Sequence, residues 1–263
     1  MPSSLWPYLW FLCALGALIP LQHWLDRHLQ GMLLLVFGSR KRAFWAYAVV
    51  LLPGVALHEV SHWVAARLLG VATRGFSLRP VRRADGSFRL GYVQTAKADP
   101  LRSVIIGAAP LITGVAALIL IGFREMGLDA LGGSILAGAW SEVPLRVREI
   151  LAMPGLGWWL YLALVVSNNM MPSEADRASW LPAAILLAAI GGAVAYLGFG
   201  PALATWVEPP LAAALSTLAS VFTLTAVLDI VFGLPLRFAE WLIGRLIGRE
   251  IVYRRRPPPD RGG

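Results

Sequence analysis

The stretch LLPGVALHEVSHWVAARLLG, residues 51 to 70, is apolar enough to cross a bilayer yet carries His58, Glu59 and His62 within five positions. An ionisable group at membrane depth costs a few kcal/mol or more, so side chains of this kind are kept there for a function. Pro53 and Gly54 stand just over one turn before His58. A proline there removes a backbone hydrogen bond and tends to bend the helix.

The remainder of the chain agrees with a membrane setting. Of 263 residues, 57% are hydrophobic and only 14% charged, and the mean hydropathy is +0.66, which is too apolar for a soluble domain. The pattern predicts an all-α polytopic membrane protein with about six transmembrane helices, near 5–21, 44–69, 101–122, 150–171, 179–199 and 210–235. The amino-terminal stretch lacks a basic n-region and a small-residue cleavage site, so it reads as the first span. Cys13 is the single cysteine and excludes an intramolecular disulfide. The net charge of +8 comes from residues clustered at the ends of apolar spans, which favours membrane orientation over nucleic-acid binding. With both termini in the cytoplasm, sixteen of the basic residues fall inside and seven outside; the segment SRKR, 39–42, is among the latter. Arginine-rich, lysine-poor usage points to a bacterial inner membrane.

One membrane-embedded unit, 1–263, accounts for the chain, since no fixed-period repeat or soluble appendage is visible. Its one extended polar segment, about 71–98, alternates Phe76 and Leu78, then Phe88, Leu90 and Tyr92, around Asp85-Gly86. That is the signature of a β-hairpin. Near the carboxyl end, about 236–253, Arg237, Glu240, Arg245 and Arg249 oppose Phe238, Trp241, Leu242 and Leu246 at helical spacing. This predicts an amphipathic helix lying on an anionic leaflet.

Residues four apart share a helix face, so His58 and His62 present two imidazoles to one point with Glu59 beside them. This H-E-x-x-H arrangement suits one Zn²⁺ per chain, with an open position for water and a glutamate to take its proton. A third ligand is required. Position 65 is alanine and no histidine follows His62, while His23 and His28 lie far upstream. The ligand is therefore expected to be a carboxylate, with Asp176 and Asp229 as candidates ahead of Glu174. Ser173-x-x-Asp176 also reads as a capping box for the next helix, and Asn168 and Asn169 before Pro172 read as a helix end.

HEVSH late in a membrane helix, then a hairpin segment, a span containing GAAP at 107–110, and a span ending in Asn169-x-x-Pro172 followed by Asp176 together resemble the site-2 protease family of intramembrane zinc metalloproteases. The resemblance covers the core, about 44–180. It implies His58, His62 and Asp176 as zinc ligands, Glu59 as the water-activating base, and Asn169 as a catalytic amide near the scissile carbonyl. The substrate would then be a transmembrane segment of another membrane protein, unwound and paired with the hairpin edge; the six-span orientation read from the charges puts the site toward the cytoplasm. The chain departs from the family in having no asparagine after Pro110 and in carrying Ala175-Asp176-Arg177 where Leu-Asp-Gly is usual. A non-catalytic zinc-binding membrane scaffold or chaperone-like protein is the alternative reading.

Overall fold

The computed structural model describes residues 5–82, 88–249, 251 and 253. Helices α1 (Trp6–Phe37), α2 (Arg40–Leu68) and α3 (Pro100–Ile119, extended by a π-helical turn to Glu125) are followed by short helices α4 (Leu128–Leu136) and α5 (Val143–Ala152). Then come α6 (Leu156–Asn169), a single turn α7 (Glu174–Arg177), α8 (Trp180–Val194) and the 48-residue α9 (Gly200–Ile247). Four stretches are long and apolar enough to cross a membrane: α1, α2, α3 with its extension, and Glu174–Ile247. The pair α5 and α6, bent by 95°, brings the count to five if it forms one span. Gly198, at φ 87°, breaks the stretch between α8 and α9, and Gly191 of α8 lies against Leu203 of α9, so the two fold back on each other.

The span boundaries differ from the sequence expectation where polar residues find partners inside the bundle. The first helix continues through 22–37 instead of ending near residue 21. Gln22 Nε2 donates to the Ser167 carbonyl at 3.0 Å, and Asp26 accepts from the Tyr47 hydroxyl at 3.1 Å. Those bonds let polar side chains sit in a buried helix that their hydropathy alone would end. The basic segment at the carboxyl end, as far as Ile247, is the continuation of α9 rather than a separate surface helix.

α1 and α9 pack in parallel along most of their length. Trp10 Nε1 donates to Thr223 Oγ1 at 3.2 Å, and Phe11 meets Phe222. Farther along, Trp24 covers Gly233 and His28 pairs with Glu240. The start of α1 and the end of α9 therefore lie at opposite ends of the bundle, unlike the expected placement of both termini on one side. The SRKR segment follows directly on α1, and Leu35 near its end packs on Gly244. Both put this segment at the same end as Arg245 and Arg249.

The hairpin expected over about 71–98 is present as two short antiparallel ladders. β1 (Thr73–Ser77) pairs antiparallel with β4 (Tyr92–Thr95), Ser77 opposite Tyr92, and β2 (Val81–Arg82) pairs with β3 (Phe88–Arg89), Val81 opposite Arg89. Both ladders centre on the region of residue 85; Asp85-Gly86 itself lies outside the described residues. Ala66, Val71 and Ile106 bury together with Ala96 and Ala98 at the hairpin base. Leu90 joins the cluster of Leu51, Val55 and Val165. At Gly91 a Cβ would stand 2.9 Å from Glu59 Cγ and 3.1 Å from Val55 Cγ1, closer than packed carbons allow. A residue without a side chain thus lets the hairpin backbone lie against α2 at the level of Glu59.

α2 and α6 run in the same sense and touch backbone to backbone. Tyr161 donates to the Val50 carbonyl at 2.7 Å, and Gly54 faces the Val165 carbonyl so closely that a Cβ would collide with it. Two outcomes follow. Gly54→Ala should lower stability by about 1–3 kcal/mol, seen as a depressed Tm in detergent, whereas Gly16→Ala, with open space around it, should leave Tm unchanged or raised. Reporter fusions at the two ends of the chain should map to opposite faces of the membrane, and matching faces would contradict the parallel packing.

Candidate metal centre

His58 and His62 lie one turn apart on α2, and each ring is oriented by a backbone carbonyl that its own helix leaves free. In α3 the carbonyl of Ile106 would normally accept from the N–H of residue 110, but residue 110 is proline and has none. His62 Nδ1 donates to that carbonyl at 2.8 Å. The carbonyl of Asn169, at the end of α6 just before Pro172, is one of the unsatisfied acceptors of a helix terminus. His58 Nδ1 donates to it at 2.6 Å. A carbonyl oxygen only accepts, so in the neutral rings the proton sits on Nδ1 and the lone pair on Nε2.

Those lone pairs converge. His58 Nε2 and His62 Nε2 are 3.2 Å apart. Asp176 places Oδ1 at 3.2 Å from His62 Nε2 and Oδ2 at 3.7 Å from His58 Nε2. Among the described residues, His58, His62 and Asp176 form the group whose ligand atoms all lie within 4.8 Å of one another. Asp176 is presented by the capping box read in the sequence. Oδ2 accepts from the Ser173 N–H at 2.7 Å, and Ser173 Oγ accepts from the Asp176 N–H at 3.4 Å. The cap and the ligand readings of Asp176 are one arrangement, because the bond to Ser173 turns the carboxylate toward the histidines. Gly107 completes the placement: a Cβ there would strike the Asp176 carbonyl, so its absence lets α7 dock on α3.

Glu59 is buried beside the histidines, 5% exposed, beneath Gly91 of the hairpin. A cavity of about 260 Å³ opens next to Asp176, with Thr95, Ser103 and Ser179 among its walls.

The other candidate residues lie apart from the group. Asp229 is fully buried and accepts from Asn168 Nδ2 at 3.1 Å. Asn169 donates its amide back to the Val165 carbonyl at 2.7 Å, so its contact with the site runs through its own carbonyl. His23 bonds within α1 to the Ile19 carbonyl, and His28 belongs to Glu240 at the far end of α1. Glu174 is exposed at the start of α7. Three successive residues at the end of α6 are thereby fastened to three helices: Ser167 to α1, Asn168 to α9 and Asn169 to α2. The role of Ile106 was missed in the sequence, although a proline four residues on marks its free carbonyl.

Pro110→Ala should separate the stability of α3 from the order of the site. The restored N–H competes for the Ile106 carbonyl, so affinity for Co²⁺ or Zn²⁺ measured by chelator competition should fall roughly tenfold with Tm kept or raised; unchanged affinity would refute the orienting role. Comparison of the chain with protein-family models, with curated proteins and with solved structures gives no match, so the functional reading rests on the residues themselves.

Proposed function

We propose that the chain is an intramembrane zinc metalloendopeptidase that hydrolyses peptide bonds in or near the transmembrane segments of membrane-protein substrates, in line with its resemblance to the site-2 protease family. The convergence of two imidazole Nε2 atoms and one carboxylate, with Glu59 alongside, carries this reading. Two atoms 3.2 Å apart that each stand about 2.1 Å from a shared centre subtend about 100° there, close to tetrahedral. Three protein ligands leave the fourth position open, as catalytic zinc sites do. Both Nδ1 atoms are bound to backbone carbonyls, the outer support that zinc-binding histidines commonly have.

When bound, zinc would supply the Lewis acidity that activates water and polarises a carbonyl. Glu59 takes the proton from the attacking water and returns it to the departing amine. Asn169 enters through its carbonyl, which holds the His58 ring, rather than through an amide aimed at the oxyanion. The hairpin supports a peptide substrate. It lies beside Glu59, and its two-stranded ladder has outer edges without a strand partner among the described residues. A transmembrane helix unwound for cleavage loses its internal hydrogen bonds, and pairing with such an edge restores them. The reading includes a multi-pass location in a bacterial inner membrane. Basic residues stand at both ends of the bundle, Arg67 to Arg102 at the end of the site and SRKR with Arg245 and Arg249 at the other, so charge bias does not select the side that the site faces.

The test uses purified protein and a panel of single-span peptides. Glu59→Gln should retain metal and lose cleavage by about 10²–10⁴-fold, whereas His58→Ala should lose both. Cleavage by Glu59→Gln at the wild-type rate would refute the assignment.

A further inference from the structure

The last turns of α9 border a second, open cavity, remote from the histidines. Arg237, Trp241 and Arg245 recur every four residues and share one face of the helix. Gly248, at φ 69°, ends α9 in the left-handed conformation, and the Arg249 N–H bonds back to the Gly244 carbonyl at 2.9 Å. Tyr253 then reaches α1, where its hydroxyl donates to the Arg27 carbonyl at 3.3 Å and also meets Glu240. The open cavity between them is about 420 Å³ and is lined by Arg237, Trp241, Arg245, Arg249, Tyr253 and the His28–Glu240 pair.

Its charge is unbalanced. Among the described residues Glu240 is the one acid in the wall, and it is buried against α1 and engaged by both His28 and Tyr253. Gly31 makes room for that contact, since a Cβ there would collide with the Tyr253 hydroxyl and stand 2.5 Å from Glu240 Oε1. Among the described residues no carboxylate lies within ion-pair distance of Arg237, Arg245 or Arg249; Arg245 instead lies 5.5 Å over the Trp241 ring. Trp24, Trp241 and Tyr253 at this level have the composition of a membrane–water interface. Phe238, Leu242 and Leu246 stand exposed on the same turns.

We propose that this cavity binds a phosphate-bearing anion, met in the membrane as the headgroup of an anionic phospholipid. Guanidinium groups match phosphate oxygens in fork geometry. Three of them around a cavity with its own acid already engaged favour a phosphodiester over a neutral headgroup. The exposed apolar side chains beside the cavity give acyl chains a surface that free phosphate would not use.

Full-length protein, stripped of lipid in detergent, is titrated with phosphatidylglycerol, phosphatidylcholine or inorganic phosphate, and native mass spectrometry counts what is retained. Wild type should hold phosphatidylglycerol at concentrations where phosphatidylcholine is lost. The triple variant R237Q/R245Q/R249Q should weaken this by roughly tenfold or more. The variant R40Q/K41Q/R42Q removes equal charge at the same end but outside the cavity, and should retain the lipid. Phosphatidylglycerol should also raise the Tm of wild type where phosphatidylcholine does not, a readout that needs no variant. Equal losses in both triple variants would overturn the site in favour of diffuse surface charge. Inorganic phosphate bound as tightly, with no preference for phosphatidylglycerol, would overturn the lipid assignment.

Discussion

Three electron-rich atoms aimed at one point in a weakly screening interior repel one another unless positive charge lies between them. His58 and His62 cannot relieve this by turning, because each ring is tied through Nδ1 to a backbone carbonyl. Asp176 is held in turn by the Ser173 N–H. α2, α3, α6 and α7 therefore meet around a position suited to a cation, and their relative placement is coupled to it. Both acceptors that orient the histidines arise where regular helix bonding fails, one at Pro110 and one at the end of α6. Pro110 is part of the site, since its missing N–H leaves the Ile106 carbonyl for an imidazole to use.

The rest of the bundle braces that meeting point. The end of α6 carries the carbonyl that orients His58, and polar bonds from Gln22 of α1 and Asp229 of α9 hold the two residues before it. Such bonds in a membrane interior are favoured partly because the alternative is an unsatisfied polar group. α1 and α9, joined by apolar and aromatic contacts, form a frame outside α2, α3 and α6. Polar residues that look misplaced in apolar helices are the points at which this frame grips the core. The hairpin closes the assembly from the other side, with Gly91 against Glu59.

Much of the site was legible because its spacing is local. Two histidines four residues apart on one helix share a face whatever surrounds them, and alternation about Asp85-Gly86 marked the hairpin before any contact was known. The choice between Asp176 and Asp229 was not legible, because hydropathy and spacing say nothing of which carboxylate crosses to another helix. The Ser173 cap, read as a competing explanation, is what aims Asp176. The end of the first span was misplaced because Gln22 and Asp26 look like interface residues, yet their partners lie 145 and 21 residues away. The parallel course of α1 and α9 could not be inferred from charge bias, since basic residues occur at both ends of the bundle.

X-ray absorption spectroscopy at the zinc edge of the purified protein addresses the central claim most directly. The account predicts one zinc per chain with two imidazole nitrogens and carboxylate oxygen in its inner coordination sphere, at about 2.0–2.2 Å, and loss of the oxygen contribution from the carboxylate in Asp176→Ala. A protein that folds and takes up no stoichiometric zinc, or one whose zinc has no imidazole ligands, would contradict it.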